Sequence, residues 1–421
     1  MKGVARPMSS VRRVAITGLG AISSLGNSAG QILDSLRTGR ISFAASPFDS
    51  RVITSPVRDF ELGSFTGSFK ERRYLNRGAQ FAVAAAMSAL RGASLRSEEM
   101  AETGLFLGAG PNMDVGGEIP EIRQGEIRHD ALMALWILRF LPNTAASVIS
   151  ILAGLQGDNF TVTSACSSSL QAIGEAFHKI RDGYLDLALA GGGDSRLTNG
   201  AVLAYRKARA LYEGGGNPGE ASRPFDNGRR GFVPGEGGAC LLLEELEHAR
   251  SRGADILGEV CGFGASLDGY NVTAPDPEGR GGQKALEKAL ADGGLVPADV
   301  EAVSTHGTAT LLNDRMEAAL LERVYAGAFP RILAFKSWIG HLSTACGAME
   351  TALSLICMRN SYLPEIRNLH DPCSPALPFV RKGAACPTSL WAIQNFGFGG
   401  QNAVLMVKRY LPEEGTRRNE T

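Results

Sequence analysis

The feature that most constrains the fold of this chain is the alternation of strand-like and helix-like segments along most of its length. Short apolar runs bounded by glycine are typical of buried strands, whereas longer alanine-rich or periodic stretches are typical of helices. The glycines that follow residue 17 predict that the first strand ends there. The pattern predicts strands at 14–17, 104–110, 185–190, 300–305, 332–335 and 403–407, and helices at 77–92, 283–291 and 315–325. Such alternation predicts an α/β layered fold.

Two stretches of the sequence resemble each other and indicate an internal repeat. GEGGACLLLEELE (235–247) and GFGGQNAVLMVKRYL (397–411) each have a glycine-rich turn followed by an apolar strand. Glycine-rich turns before strands are common, yet two such stretches in one chain fit a duplicated α/β unit. We therefore predict an N-terminal half at 12–255 and a C-terminal half at 256–411, followed by a polar tail at 412–421.

The charge balance and the cysteine pattern argue against several classes of function. The 421 residues carry 43 basic and 43 acidic side chains, so nothing favours electrostatic binding to nucleic acid or to a membrane surface. No apolar run approaches the roughly 18 residues of a membrane span, and the basic N-terminal segment lacks the apolar core of a secretory signal. The seven cysteines are scattered without a CxxC pair, which fits a reducing compartment. We expect a cytoplasmic protein.

One of these cysteines lies in TVTSACSSSL (161–170), where a strand-like run meets a helix-like segment. Thr161, Val162 and Thr163 favour an extended chain, and the apolar residues after Cys166 have helical spacing. At such a helix start the dipole stabilises a thiolate, and a free backbone N–H can bind an oxyanion. From this segment alone, Cys166 is either a nucleophile or a small buried apolar residue. The other six cysteines are interpreted as packing residues.

Three residues from the second half of the chain are candidates for the same site. His306 and Lys336 each come directly after a predicted strand, and His341 precedes a segment that is apolar on nearly all sides. The carboxyl ends of strands are where α/β folds place their sites, although capping or packing is the alternative for each histidine. A charged lysine beside a buried helix needs a partner, and Glu317 is one candidate.

Five motifs occur in an order that identifies a family. The chain resembles the β-ketoacyl-[acyl carrier protein] synthases of the thiolase-like condensing-enzyme superfamily through TSACSSSLQAIGEA, SRPFDNGRRGFVPGEGG, THGTATLLND, KSWIGHLSTACGA and NFGFGG. Each motif alone is weakly specific, whereas five in order are strongly specific. The resemblance covers most of the chain and is to the Cys-His-His class, which includes elongating and type II polyketide ketosynthases. It implies a five-layered αβαβα fold built from two duplicated halves, and a dimer.

The resemblance implies a decarboxylative Claisen condensation with defined roles for the candidate residues. Cys166 would carry the acyl group, with its own N–H and that of Phe398 as oxyanion donors. His306 and His341 would donate ring N–H groups to the malonyl thioester oxygen. Lys336 would hold the hydrogen-bond network through Glu317, or alternatively tune His341 electrostatically.

The remaining implied residues concern substrate access. Thr308 and Thr310 match positions that bind the pantetheine arm, and Asp314 is a further supporting residue beside Glu317. Phe398, between Gly397 and Gly399, would gate the two half-reactions, and Pro111 would lie in the acyl pocket. The implied partner is an acyl carrier protein, which brings its own 4′-phosphopantetheine, so no other cofactor and no metal are expected. The dimer would be a homodimer or would pair with a homologous subunit.

Several positions depart from the usual family pattern and leave alternatives open. Ala309, Trp338, Cys346 and Gln401 replace commoner residues, and Pro111 stands where relatives carry an aliphatic gate. Because Trp338 and Pro111 would reshape the acyl tunnel, a dedicated ketosynthase of a polyketide or polyene pathway is one alternative to a fatty acid enzyme. A noncatalytic chain-length partner and a CoA-dependent thiolase-like acyltransferase are two others.

Overall fold

The computed structural model describes residues 11–113, 122–123, 126–127, 132–214 and 216–412. Its strands are β1 (Val14–Ile22), β2 (Ala44–Ala45), β3 (Ile53–Thr54), β4 (Gly104–Gly108), β5 (Ile122–Arg123), β6 (Glu126–Ile127), β7 (Asn159–Val162), β8 (Leu187–Ser195), β9 (Glu236–Glu245), β10 (Gly258–Leu267), β11 (Ala302–Ser304), β12 (Arg331–Leu333), β13 (Tyr362–Leu363), β14 (Ala384–Ala385), β15 (Leu390–Gly397) and β16 (Gln401–Lys408). Its helices are α1 (Ala29–Thr38), α2 (Gly63–Thr66), α3 (Arg77–Arg91), α4 (Ser97–Glu102), α5 (Thr144–Ala153), α6 (Ser168–Arg181), α7 (Asn199–Lys207), α8 (Leu246–Ser251), α9 (Arg280–Asp292), α10 (Leu311–Val324), α11 (Lys336–Ile339) and α12 (Cys346–Arg359).

The two halves of the chain have the same strand topology. The first half contributes the order β1-β9-β8-β4-β7 and the second half the order β10-β16-β15-β11-β12. In the first half, β1 pairs antiparallel with β9, β9 pairs antiparallel with β8, and β8 and β7 each pair parallel with β4. In the second half, β10 pairs antiparallel with β16, β16 pairs antiparallel with β15, and β15 and β12 each pair parallel with β11. Antiparallel pairing of β1 with β10 joins the halves. The predicted α/β duplication is confirmed.

Alternation along the strands divides the core into layers. In β9, Leu241 and Leu243 pack with the two central helices α6 and α12, whereas Cys240 and Leu242 pack with α3 on the opposite face. In β16, Leu405 faces the same central helices, and its neighbours on either side pack with α9 and α10. Side chains of a strand point alternately to the two faces of its sheet. The five predicted layers are therefore present, with α6 and α12 in the middle.

The first strand is longer than its sequence predicts. Gly18 and Gly20 lie inside β1 rather than after it. A Cβ at Gly18 would come within 2.5 Å of the Ala89 carbonyl oxygen, and one at Gly20 within 2.0 Å of the Ala85 oxygen. These glycines therefore admit the backbone of α3 against the sheet and do not end the strand. The half boundaries at 255/256 and 411/412 stay predictions, and residues 413–421 of the polar tail lie outside the described residues.

Candidate active site

Cys166 lies at the corner where β7 leads into α6. A 3₁₀ turn, Ala165–Ser167, connects the strand to the helix, and Ala165 has a φ of 49°. The Ser168 hydroxyl accepts the Ser164 N–H at 2.9 Å, and the Ser167 hydroxyl donates to the Ser164 carbonyl at 2.8 Å. The serines after the cysteine thus fix a left-handed residue that a chain of L-amino acids disfavours. The predicted strand-to-helix corner is present.

The fold brings the predicted nucleophile and both predicted histidines together. The sulfur of Cys166 and one ring nitrogen each of His306 and His341 all lie within 4.8 Å of one another. The two imidazole rings stand nearly perpendicular, with centroids 5.5 Å apart. His306 follows β11 and His341 precedes α12, so three separate segments meet at one point.

Neighbouring donors determine which ring nitrogen of each histidine carries the proton. The backbone N–H of Ser343 donates to His341 Nδ1 at 2.9 Å, so that nitrogen is an acceptor and the proton lies on Nε2. His306 Nδ1 lies 3.3 Å from Lys336 Nζ, an ammonium donor, which places the His306 proton on Nε2 as well. Burial, together with the charge of Lys336, holds the pKa of both imidazoles well below the usual 6.5. Both rings are therefore neutral donors at neutral pH.

The thiol of Cys166 differs from the expectation drawn from its helix start. Burial raises its pKa to about 11, while the charge of Lys336 and the Phe398 N–H, which points at the sulfur, act in the opposite direction. Desolvation disfavours the charged form of a thiol. The effect of burial on the pKa thus outweighs the stabilisation of a thiolate expected at a helix start. Cys166 is therefore a thiol in the free protein at neutral pH.

The ion pair of Lys336 is made with Glu350 and not with Glu317, so the predicted partner is wrong. Lys336 Nζ lies 2.6 Å from Glu350 Oε1 and both side chains are buried. The other Glu350 oxygen accepts from the Asn395 amide at 2.6 Å. Glu350 lies on α12, and its single carboxylate in an otherwise apolar helix was the available sequence signal. Asn395 had no comparable signal.

Glu317 and Asp314 instead hold the loop that carries His306. Glu317 accepts the backbone N–H groups of His306 at 2.7 Å and Gly307 at 2.8 Å. Asp314 accepts those of Thr308 at 3.0 Å, Ala309 at 3.1 Å and Phe225 at 2.7 Å. Both acids belong to the first turns of α10 and are fully buried. Both acids therefore support the site by fixing the backbone of the loop 306–309.

Cys346 packs in the central core, as predicted, and also contacts a site residue, which was not predicted. Its sulfur lies 3.2 Å from His341 Nδ1, in the buried wall behind that imidazole. The sequence signal was its position five residues after His341, at the start of a helix.

The turn after β15 closes the site from the opposite side. A Cβ on Gly397 would come within 2.9 Å of the Ser164 oxygen and 3.2 Å of the Cys166 nitrogen, so only glycine allows this approach. Gly399 has a φ of 85°, and the Phe398 side chain between the two glycines is 40% exposed. This geometry leaves the Phe398 ring free of the core, as a gate requires.

A cavity of about 360 Å³ connects the cluster with the surface. The thiol, both imidazoles, Thr308, Thr310 and Phe398 line it. Thr308 Oγ1 and Thr310 Oγ1 are 2.9 Å apart, so both predicted pantetheine contacts face one channel. Pro111 lines a second, smaller cavity of about 90 Å³.

Comparison with known proteins identifies the family. The model of the β-ketoacyl synthase N-terminal domain matches residues 11–249, and that of the β-ketoacyl synthase C-terminal domain matches residues 257–370. The chain belongs to the β-ketoacyl synthase family. A 3-oxoacyl-[acyl-carrier-protein] synthase 2 from Coxiella burnetii is 34% identical over 418 residues, which cover 94% of this chain and 99% of that protein.

Solved structures agree with this membership. A β-ketoacyl synthase from Burkholderia phymatum has a TM-score of 0.87 and 31% identity, covering 95% of this chain and all of the other. A structure named the ishigamide ketosynthase/chain length factor has a TM-score of 0.85 and 30% identity, covering 96% and 100%. These neighbours establish the thiolase-like ketosynthase fold that the resemblance implies. Among the described helices, none has the length and apolar character needed to cross a membrane.

Proposed function

We propose that this protein catalyses the decarboxylative condensation of an acyl group with a malonyl thioester carried by an acyl carrier protein. The observation that carries the proposal is the meeting of Cys166 with two neutral Nε2–H imidazoles at the floor of one open cavity. A thiol serves as both nucleophile and leaving group, whereas the reaction also needs fixed donors for a developing enolate.

The first half-reaction is an exchange of thioesters. The sulfur of Cys166 bonds to the acyl carbon, the bond from that carbon to the pantetheine sulfur breaks, and the released pantetheine thiolate takes the proton that Cys166 loses. The backbone N–H groups of Phe398 and of Cys166 itself are the proposed donors to the oxyanion. A sulfur whose pKa is raised is a stronger nucleophile once deprotonated.

The second half-reaction forms the new carbon–carbon bond. Malonyl thioester loses CO2, and the electron pair of the broken bond becomes an enolate whose oxygen accepts from His306 and His341. The enolate carbon then attacks the acyl carbon on Cys166, and the sulfur leaves as the thiolate. Because Lys336 and the Ser343 N–H keep both Nδ1 atoms occupied, both imidazoles stay donors. Lys336 is a positioning residue in this scheme.

The surroundings of the cavity support an acyl carrier protein as partner. Arg209 and Arg230 line the cavity and are exposed, and Leu311 and Leu312 beside them are 60% and 63% exposed. Exposed basic and apolar side chains at a channel mouth suit an acidic protein that delivers a long arm. The 4′-phosphopantetheine arm is the only cofactor that the proposed reaction needs. We propose a cytoplasmic location for this reaction.

The edge of the sheet supports a dimer. β7 ends the ten-stranded sheet, and the Phe160 side chain on it is 54% exposed. An uncovered edge strand with an exposed aromatic residue is a template for pairing with another chain. The second subunit is a copy of this chain or a homologous subunit, as the name of the similar ketosynthase/chain length factor structure suggests.

Mass spectrometry of the intact protein tests the proposal. After incubation with hexanoyl-loaded acyl carrier protein, the hexanoyl group should be found on Cys166 and should disappear in Cys166→Ala. Cys373→Ala is the matched control, since that half-buried thiol lies away from the cavity lining. A noncatalytic chain-length partner would give no adduct, and a CoA-dependent acyltransferase would be labelled by hexanoyl-CoA but not by the carrier protein. Either result would refute the proposal.

A further inference from the structure

A buried ion pair beside the Cys166 corner has no role in the reaction described above. Arg196 comes directly after β8, and its side chain is only 6% exposed. Its Nε lies 3.0 Å from one oxygen of Asp194 and 3.1 Å from the other. Burying a guanidinium is costly unless each of its donors finds an acceptor. The two terminal nitrogens of the guanidinium, Nη1 and Nη2, therefore also need acceptors.

Asp194 is fully occupied by the protein. Besides Arg196, it accepts the Ser195 N–H at 2.8 Å, the Thr344 N–H at 3.1 Å and the Thr344 hydroxyl at 2.8 Å. Because Thr344 belongs to the segment that carries His341, this carboxylate joins the two halves of the chain. It fixes the direction of the Arg196 side chain.

Arg196 has one donor nitrogen left over. Its Nη1 donates to the Pro111 carbonyl at 2.5 Å, whereas its Nη2 makes no hydrogen bond with the described residues. The guanidinium lines the cavity of about 90 Å³ together with Gly110 and Pro111. A Cβ on Gly110 would come within 2.6 Å of Nη2, so glycine keeps that side open. The cavity has room for several water-sized groups.

The cavity lies next to the acylated corner. The Thr163 hydroxyl donates to the Ala109 carbonyl at 3.0 Å, and a Cβ on Gly108 would come within 2.2 Å of the Ser169 nitrogen. Segment 108–111 therefore runs directly along the start of α6. Both charges of the ion pair are near enough to act on the pKa of the Cys166 thiol: Asp194 raises it, and Arg196 lowers it by a smaller amount.

The charges around this cavity already balance. Arg196 is paired with Asp194, and Arg77, which also lines the cavity, is paired with Glu236 at 3.1 Å. A ligand carboxylate would add an uncompensated charge to this partly dry space, whereas a neutral oxygen accepts the spare N–H without that cost. The geometry suits a ketone or a hydroxyl.

We propose that Arg196 Nη2 donates a hydrogen bond to a ketone or hydroxyl oxygen of the acyl chain held on Cys166, so that the protein prefers oxygenated acyl chains to plain hydrocarbon chains. This inference rests on the proposed acyl transfer to Cys166. Arg196 is then a specificity-determining residue, and the acyl chain passes Pro111 into the smaller cavity.

The test compares rates of acyl transfer to Cys166 from hexanoyl, 3-oxohexanoyl, 5-oxohexanoyl and glutaryl pantetheine thioesters. Wild-type protein should favour at least one oxo chain over hexanoyl by about tenfold or more, because a hydrogen bond from a charged donor is worth roughly that factor. The double variant Asp194→Asn/Arg196→Met, which leaves no unpaired charge, should abolish the preference while still accepting hexanoyl. Glu244→Gln/Arg252→Met removes a comparable ion pair far from the cavity and should keep the preference.

Equal rates for the four thioesters, or an unchanged preference in the Arg196 variant, would overturn the inference while leaving the proposed function intact. A preference for glutaryl over both oxo chains would overturn the assignment of a neutral oxygen. Should no thioester acylate Cys166 in wild-type protein, the proposed function itself would fail. If the double variant does not fold, Arg196→Lys, which keeps the charge but not the second donor nitrogen, should weaken the preference.

Discussion

The corner at Cys166 and the corner at Ser343–Ala345 are the same backbone device used in the two halves of the molecule. Each is a three-residue 3₁₀ turn that begins with a left-handed residue, Ala165 at a φ of 49° and Ser343 at 52°. Each leads into a 14-residue helix of the central layer, α6 in the first half and α12 in the second. The backbone therefore does not explain why only one corner presents a nucleophile.

The side chains on the two corners differ in what they face. The second residue of the first turn is Cys166, which opens onto the channel, whereas the second residue of the other turn is Thr344, which binds Asp194. The cysteine of the second half, Cys346, begins the helix itself and is buried against His341. One corner thus presents the proposed acyl-carrying thiol to the channel, and the other lies against His341. The two corners therefore differ both in the residue at the second turn position and in whether their cysteine faces the channel.

Removing either imidazole should distinguish decarboxylation, which uses both histidines, from acyl transfer to Cys166. His306→Ala and His341→Ala are each expected to lower CO2 release from malonyl carrier protein by about 10²–10³-fold, because each removes one donor to the enolate. Acyl transfer to Cys166 should fall far less, as measured by mass spectrometry on the same samples. Unchanged CO2 release in both variants would show that neither imidazole takes part in the decarboxylation.

Breaking the ion pair behind the second corner should cost stability. Glu350→Gln leaves Lys336 buried without its counter-ion and should lower the free energy of unfolding by about 3 kcal/mol. Urea unfolding measures this, with Glu287→Gln on the exposed side of α9 as the control, expected within about 0.5 kcal/mol of wild type. The double variant Lys336→Met/Glu350→Leu should recover part of the loss. Equal stability of Glu350→Gln and its control would contradict the assigned pair.

Alkylation at increasing pH should distinguish the two cysteines. With a pKa near 11, the Cys166 thiolate fraction should rise about tenfold per pH unit from pH 7 to 10, and iodoacetamide labelling should follow it. Cys346 should stay unlabelled because it is buried, and burial raises its pKa well above the usual value. Peptide mass spectrometry reports both rates in one sample. A Cys166 rate that levels off by pH 8 would mean that the helix start, and not burial, controls the thiol.

Much of the site was predictable because its residues occur in local motifs. The strand and helix signals around Cys166 marked the corner, and the order of five motifs pointed to His306, Lys336 and His341. The partner of Lys336 was not predictable in this way. Glu317 precedes Lys336 in the chain and Glu350 follows it. Only the packing of α12 in the central layer places Glu350 Oε1 2.6 Å from Lys336 Nζ.

The sequence by itself determined the layered α/β fold, the internal duplication and the residue types of the reacting groups, since periodicity, glycine turns and motif order are local properties. Only the tertiary structure decided the histidine tautomers, the raised pKa of Cys166 and the burial of Asp194 with Arg196 beside Pro111. The physical reason is that hydrogen-bond partners and desolvation depend on which segments meet. In this protein the meeting point lies between the two halves, where α6 and α12 pack together.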